Sequence, residues 1–286
     1  SPHGQGHDTT FSQVVADKLG IPIEDIEFVF SDTKSVSMGW GTYGSRSTAV
    51  GGAAVSFAAD RVVEKTKKIA AHELEVAEED VEFENGTFSV KGVPGKERAF
   101  KDIAHSANMA WNLPEGMEPS LEAQYFFKPE NFVFPFGTHV AVVEVDKDTG
   151  EIDLQRYVCV DDVGTVINPL TAEGQVHGGV AQGVGQALWE GAVYNDNGQL
   201  VSGTLMDYTL PKARFFPTIE SDFTETPSPV NPLGAKGVGE VGTTASIAAA
   251  MNAVVDALSV YGVTDVEMPL TPEKVWKVIQ EKEGNQ

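Results

Sequence analysis

The chain has 286 residues and a formal net charge of −22. So large an excess of acidic residues argues against nucleic acid or an anionic membrane as a partner. The length suits one large domain or two subdomains, and no apolar run approaches the length of a membrane span. The single cysteine, Cys159, excludes a disulfide framework, a zinc ribbon or an iron–sulfur cluster built from this sequence alone.

The first half of the chain alternates between helical and extended patterns. Apolar positions at helical spacing predict a first helix that ends at Gly20, and the alternating segment IEFVF predicts a strand over 26–30. A long helix is expected over 48–76 and a short one over 102–110. Between them, an Asn-Gly pair predicts a tight hairpin over 81–92.

The second half opens with a strong hairpin pattern over 138–160. A helix is predicted over 171–189 despite its five glycines, each of which costs about 1 kcal/mol relative to alanine, so another requirement must retain them. A strand over 218–225 and an alanine-rich helix over 244–260 follow.

The mixture of helices and strands predicts the α+β class. A stretch rich in proline and glutamate, 112–131, suggests a connection between two mixed α/β subdomains. The expected division places residues 1–128 in the first subdomain and residues 129–286 in the second.

Glycine-rich loops recur along the chain, and glycine lets a backbone approach a ligand closely. Taken singly, each of these loops is explained as well by a surface turn or by tight helix packing. Two of them precede a helix N-terminus, which favours an anion, and one carries an arginine suited to phosphate oxygens. Together they indicate a large, polar, phosphate-bearing ligand. The four are HGQGHDTT (3–10), GTYGSRS (41–47), GQVHGGVAQGVGQ (174–186) and NPLGAKGVGEVGT (231–243).

The segment GVGEVG (237–242) formally matches the dinucleotide-binding pattern, which raises a nicotinamide-dependent oxidoreductase as one alternative. The residues before it contain three prolines and do not resemble a buried strand. Glu240 would also direct a negative charge toward a pyrophosphate. A catalytic base beside a tightly held cofactor accounts better for a single acid among four glycines.

Four segments in chain order resemble the large, cofactor-binding subunit of the molybdenum hydroxylases, the family of xanthine oxidase, aldehyde oxidoreductases and aerobic carbon monoxide dehydrogenase. The likeness covers nearly the whole chain and is strongest to the carbon monoxide dehydrogenase and bacterial aldehyde dehydrogenase branch. The segments are HGQGHDTTFSQVVADKLG, GTYGSRSTAVGG, DDVGTVINPLTAEGQVHGGVAQGVGQAL and NPLGAKGVGEVGT. The resemblance implies the C-terminal, molybdopterin-binding portion of such a subunit.

The cofactor implied by the resemblance is molybdopterin with molybdenum, in its cytosine dinucleotide form. The metal would be held through the pterin, with no direct protein ligand. The residues assigned to the cofactor by the resemblance are Gln5, Gly6 and His7 near the pterin and metal, Thr42, Tyr43, Gly44, Ser45 and Arg46 on the phosphate side, Asp162, Thr165, Ile167 and Asn168 along the dinucleotide, Gln175 and Gln182 beneath it, and Lys236, Gly237, Val238 and Gly239 around the metal end.

Glu240 matches the family's catalytic glutamate. The resemblance implies that this residue deprotonates a hydroxyl group on molybdenum, whose oxygen then attacks an electrophilic carbon while hydride passes to a sulfido group. A carboxylate that acts as a base near neutral pH would need its pKa raised by burial, whereas the N-terminus of the helix that follows would act in the opposite direction.

The implied reaction is oxidation of an aldehyde, a heterocycle or carbon monoxide, with water as the source of oxygen. Family large subunits carry several hundred further residues upstream. The expected partners are therefore an N-terminal molybdenum-binding half or chain, an iron–sulfur subunit and an FAD subunit, in the cytoplasm. Without that half, the chain is expected to have no hydroxylase activity. The alternative is a non-catalytic molybdopterin-binding or assembly module.

Overall fold

A computed structural model describes residues 1–284, and the chain packs as two compact units. Residues 1–133 and 227–235 form the first unit. The second contains residues 134–226 and the chain from Lys236 onward. The division between the units falls inside the last glycine-rich loop, so Ala235 and Lys236 belong to different units.

The first unit contains helices and a three-stranded antiparallel sheet in the order β1-β2-β3. Asn85 and Gly86 have φ values of 47° and 75° between β1 and β2, which confirms the predicted Asn-Gly hairpin. Ile69, Phe88 and Ile103 are fully buried in its core. The elements are α1 (His7–Leu19), α2 (Ala53–Glu73), β1 (Val81–Glu84), β2 (Thr87–Val90), β3 (Glu97–Ala99) and α3 (Phe100–Met109).

Two predictions for the first unit need correction. The strand over 26–30 is wrong, because this segment is extended but pairs with no strand among the described residues. Its alternation instead serves aromatic packing: the Phe28 ring contacts the rings of Phe11 and Phe30. The long predicted helix also begins with a π-helical turn, Ser47–Gly52, before α2 starts.

The second unit is built on a three-stranded sheet in the order β4-β5-β6. The predicted hairpin is confirmed, since β4 and β5 are antiparallel. β6 is parallel to β5, and the connection between them includes α4. The elements are β4 (Phe136–Val145), β5 (Ile152–Asp162), α4 (Pro169–Leu188), β6 (Ile219–Thr224), α5 (Val241–Leu258) and α6 (Pro272–Glu283).

The core of the second unit lies between this sheet and the helices. Valines of α4 spaced four residues apart are completely buried, as are apolar side chains at similar spacing on α5. Helix α6 was not predicted from the sequence. Its Val275 and Ile279 side chains are buried in the core of the second unit. The buried helical positions are Val176, Val180, Val184, Ala250, Val254 and Leu258.

Helix α5 with its short extension, Val241–Tyr261, has the length and mean hydropathy (1.3) of a membrane span. No such segment was expected from the sequence. Length and composition alone are weak evidence, because core helices of soluble proteins meet the same criterion. In this fold the helix packs against α4 and the sheet, and its Ala250 and Val254 side chains lie in the core.

Candidate cofactor-binding site

The N-terminal glycine loop leads directly into α1. Gly6 takes the capping position with a positive φ of 78°, so His7 is the first helical residue. The His7 ring is buried and stacks in parallel on the Phe11 ring, with 5.0 Å between centroids. Burial lowers the pKa of His7, which favours the neutral imidazole. Gln5 is half-buried, and its side-chain oxygen accepts a hydrogen bond from the His3 N–H.

The second glycine loop, also in the first unit, places an arginine beside an exposed tyrosine. Arg46 Nη1 donates to Tyr43 Oη at 2.8 Å, and the guanidinium lies 5.4 Å from the centroid of the same ring. The Thr42 hydroxyl donates to the Ser1 carbonyl oxygen at 2.8 Å. Gly44 and Ser45 both have positive φ, which turns the backbone sharply just before the π-helical turn.

The loop after β5 begins with a buried carboxyl. Asp162 is the last residue of β5, and its Oδ1 accepts from the Gly164 N–H at 3.1 Å. Asn168 caps α4, where its side-chain oxygen accepts from the Thr171 N–H at 2.9 Å. Thr165 and Ile167, between these two residues, are half-buried.

The last glycine loop contacts the Asp162 loop within the second unit. Lys236 Nζ lies 2.8 Å from Asp162 Oδ1, and the Lys236 backbone N–H donates to the Val163 carbonyl oxygen at 2.7 Å. Burial alone would raise the pKa of Asp162, but hydrogen bonds from Lys236, Thr226 and the Gly164 N–H hold that pKa well below its usual range. Asp162 is therefore ionised and paired with Lys236.

Glu240 caps the N-terminus of α5, and its carbonyl oxygen accepts from the Thr244 N–H at 3.0 Å. Glu240 is exposed, as is Gly239, whereas Gly237 is buried and Val238 is half-buried. This chain therefore does not bury Glu240. Glu240 thus lies exposed at the end of the loop, directly ahead of the helix.

Close packing explains some of the glycines of helix α4, among them Gly179 and Gly183. A Cβ at Gly179 would lie 2.9 Å from the Gly242 Cα, and one at Gly183 would lie 2.8 Å from the Thr243 carbonyl oxygen. These distances are shorter than real Cβ contacts, so α4 and α5 need glycine where they cross. On the same helix, Gln175 is half-buried and Gln182 is exposed.

A buried polar group in the second unit was missed by the sequence reasoning. His139 on β4 contacts two side chains of β5: Nδ1 is 2.8 Å from the Tyr157 hydroxyl, and Nε2 is 3.2 Å from each Asp161 carboxylate oxygen. His139 and Asp161 are almost completely buried. The register of β4 against β5 brings these three side chains together. The available signal in the sequence is an imidazole and a carboxylate within two strand patterns that pair as a hairpin.

The ligand atoms of His139, Cys159 and Asp161 lie within 4.8 Å of one another, which is compatible with a metal ion by spacing alone. Both His139 nitrogens already have hydrogen-bond partners. Burial, followed by the charge of Asp161, raises the pKa of the Cys159 thiol to about 11, which disfavours the thiolate that metals bind. Internal hydrogen bonding accounts for this cluster.

We expect Cys159 to be unreactive in the folded chain. Because its thiol is buried and remains protonated below about pH 11, an alkylating reagent at pH 8 should modify it only after unfolding. Titration with a thiol-reactive chromophore, with and without guanidinium chloride, measures this. Prompt stoichiometric reaction of the native chain would contradict the expectation.

A known protein family matches most of this chain. Residues 1–217 match the family described as "Molybdopterin cofactor-binding domain". The chain is 46% identical over 278 residues to the carbon monoxide dehydrogenase large chain of Hydrogenophaga pseudoflava, covering 97% of this chain and 34% of that relative. It is 39% identical over 275 residues to the nicotine 6-hydroxylase large subunit of Paenarthrobacter nicotinovorans, covering 95% and 34% respectively.

Solved structures give the same result. Reconstituted CO dehydrogenase from Oligotropha carboxidovorans matches with a TM-score of 0.95 and 39% identity, over 100% of this chain and 35% of that one. Quinoline 2-oxidoreductase from Pseudomonas putida 86 matches with a TM-score of 0.91 and 42% identity, over 98% and 36%. The chain thus spans about a third of the length of these relatives.

The chain therefore belongs to the molybdenum hydroxylases, as a C-terminal, molybdopterin-binding portion of their large subunit. The predicted family and the α+β fold class are both confirmed.

Proposed function

We propose that this chain holds the molybdopterin cofactor of a molybdenum hydroxylase that oxidises a small molecule, with water as the source of oxygen. The two subdomains expected from the sequence, residues 1–128 and 129–286, would each contribute loops to the cofactor. Electrons would leave through iron–sulfur and FAD partners, and a further molybdenum-binding half or chain would complete the large subunit. The assembly would work in the cytoplasm.

The residues present fit such a cofactor. Gly4, Gly41 and Gly44 have positive φ, and a Cβ at any of them would meet nothing within 4 Å, so the backbone of these loops is open to an approaching group. Arg46, next to the exposed Tyr43, provides donors for phosphate oxygens. The starts of α1, α4 and α5 add backbone N–H groups and the positive ends of helix dipoles. We propose the cytosine dinucleotide form of the cofactor.

Within that assembly the side chains would share the work. Gln5, Gly6 and His7 would contact the pterin, and Thr42 to Arg46 its phosphates. When bound, the molybdenum group would supply the two-electron oxidation. Glu240 would accept a proton at its carboxylate oxygen, because it is the acidic residue that the loop presents at the start of α5. The exposed position of Glu240, at the end of the glycine loop and the start of α5, is the observation that carries the proposal.

The substrate would be carbon monoxide, an aldehyde or a nitrogen heterocycle. Its relatives include a carbon monoxide dehydrogenase, a nicotine 6-hydroxylase and a quinoline 2-oxidoreductase. Identity to the carbon monoxide dehydrogenase large chain exceeds that to the nicotine 6-hydroxylase subunit by 46% to 39%, so carbon monoxide is the first substrate to test.

The deciding measurement is the metal and nucleotide content of the chain purified under mild conditions from its native cells. We expect equimolar molybdenum by mass spectrometry, cytidine monophosphate after acid hydrolysis, and iron–sulfur and FAD polypeptides in the same fractions. Absence of molybdenum from the native chain would overturn the proposal. Molybdenum without any hydroxylase activity in the assembly would favour a non-catalytic cofactor-binding module.

A further inference from the structure

Two charged residues of the expected cofactor set bind each other. The Asp162 side chain is completely buried, the Lys236 side chain is 9% exposed, and 2.8 Å separates Lys236 Nζ from Asp162 Oδ1. Asp162 also accepts from the Thr224 hydroxyl at 3.2 Å and from the Gly164 N–H at 3.1 Å. Burying a charge is unfavourable unless it is paired and hydrogen-bonded, and this carboxylate meets both conditions.

Lys236 is attached to the end of β5 twice. Besides its ammonium contact, its backbone N–H donates to the Val163 carbonyl oxygen at 2.7 Å. The ammonium also lies 4.6 Å from the centroid of the Phe136 ring, at the start of β4. One lysine thus joins the glycine loop to both strands of the hairpin.

The segment that follows Lys236 is held at its other end as well. Glu240 begins the hydrogen bonding of α5, where its carbonyl oxygen accepts from the Thr244 N–H at 3.0 Å. Between these two fixed points lie Gly237, Val238 and Gly239, of which two are glycines with wide backbone freedom. Three residues therefore separate Lys236, which is fixed at the end of β5, from Glu240 at the start of α5.

We infer that Lys236 and Asp162 are a positioning pair for Glu240, and that their part in cofactor binding is to hold the two loops together and not to contact the cofactor. The charge of each residue is satisfied by the other, so the pair presents little net charge to an anionic ligand. The inference rests on the proposed function, because it concerns the placement of the proposed base.

The test compares Lys236→Met, Asp162→Asn and the double variant, each made in the full chain and purified with the polypeptides that accompany it. Either single change leaves a buried charge or polar group without its partner, whereas the double change removes both charges. We expect each single variant to lower the thermal midpoint and to reduce turnover per bound molybdenum about tenfold or more. The double variant should recover a substantial part of both losses.

A direct cofactor contact predicts a different pattern. If Lys236 binds the cofactor, the double variant will hold as little molybdenum as Lys236→Met or less, and that result would overturn the inference. Arg156 and Glu220 provide the matched control, because they form an exposed ion pair with contacts of 2.6 and 2.8 Å on the same sheet. Arg156→Met, Glu220→Gln and their double variant should show little coupling between the two positions in thermal midpoint or turnover.

The pH dependence of turnover separates positioning from simple stability. A displaced Glu240 changes the acid limb of the profile in each single variant, and the double variant should move that limb back toward the wild type. Unchanged profiles and unchanged turnover per molybdenum in all variants would also overturn the inference. A wild-type assembly without molybdenum would defeat the proposed function instead, so the two failures are distinguishable.

Discussion

Replacing Glu240 with glutamine in the assembled enzyme should lower turnover by about a hundredfold to ten thousandfold, the range expected for loss of a general base. Glutamine keeps the length and polarity of the side chain but cannot accept the proton. Because Glu240 is exposed at the start of α5, the change should leave the fold intact. Loss of the favourable interaction with the helix dipole should lower the free energy of unfolding by less than about 1 kcal/mol.

Molybdenum content and steady-state turnover, measured on the same preparation, test this expectation. The content should stay at the wild-type level, so that the loss lies in turnover per bound metal. Glu151→Gln is the matched control, since Glu151 is an exposed glutamate of the second unit in the β4–β5 turn. Wild-type turnover in Glu240→Gln would remove Glu240 from the catalytic role proposed for it.

Two adjacent glycines of α4 should respond in opposite directions to alanine. At Gly179 the new methyl group would lie 2.9 Å from both the Gly242 Cα and the Thr243 backbone nitrogen, and neither atom can move without shifting α5. Overpacking of this kind should lower the free energy of unfolding by about 2–3 kcal/mol. At Gly178 a methyl group meets nothing within 4 Å, so Gly178→Ala should raise stability by about 0.5–1 kcal/mol through helix propensity.

Denaturant unfolding of both variants followed by circular dichroism gives the two free energies. The pair shares one helix and one substitution, so propensity changes equally and the difference reports the helix contact. Equal stability of the two variants would mean that α4 and α5 do not approach as closely as described. Because Glu240 directly precedes α5, Gly179→Ala should also lower turnover per bound molybdenum in the assembly.

Local signals predicted most of the regular elements. The Asn85-Gly86 turn and the β4–β5 hairpin follow from turn chemistry and alternation, which act between near neighbours in sequence. The segment 26–30 alternates equally well but pairs with no strand within residues 1–284, and alternation alone cannot supply a partner. Helix α6 was not predicted, although Pro272 at its first turn and the apolar residues Val275 and Ile279, spaced four apart, are standard helix signals in a sequence.

The site was predicted by family resemblance more than by local pattern. The resemblance proposes the glycine loops and Glu240 as site residues, and that assignment stays a prediction. It does not indicate the ion pair between Asp162 and Lys236, which lie 74 residues apart in the sequence. The requirement for glycine at 179 likewise depends on the backbone of another helix. The exposure of Glu240 could not be predicted either, since no local pattern specifies how deeply a loop residue lies.

The single cysteine has a practical consequence. Cys159 is the only thiol in the sequence and lies buried on β5. A thiol-directed label should therefore give no background signal from the native chain. A cysteine introduced at an exposed position next to the second glycine loop, such as Ser37→Cys, would carry one spin label or fluorophore. The motion of that loop could then be followed spectroscopically as cofactor is loaded, with every native residue of the second unit left in place.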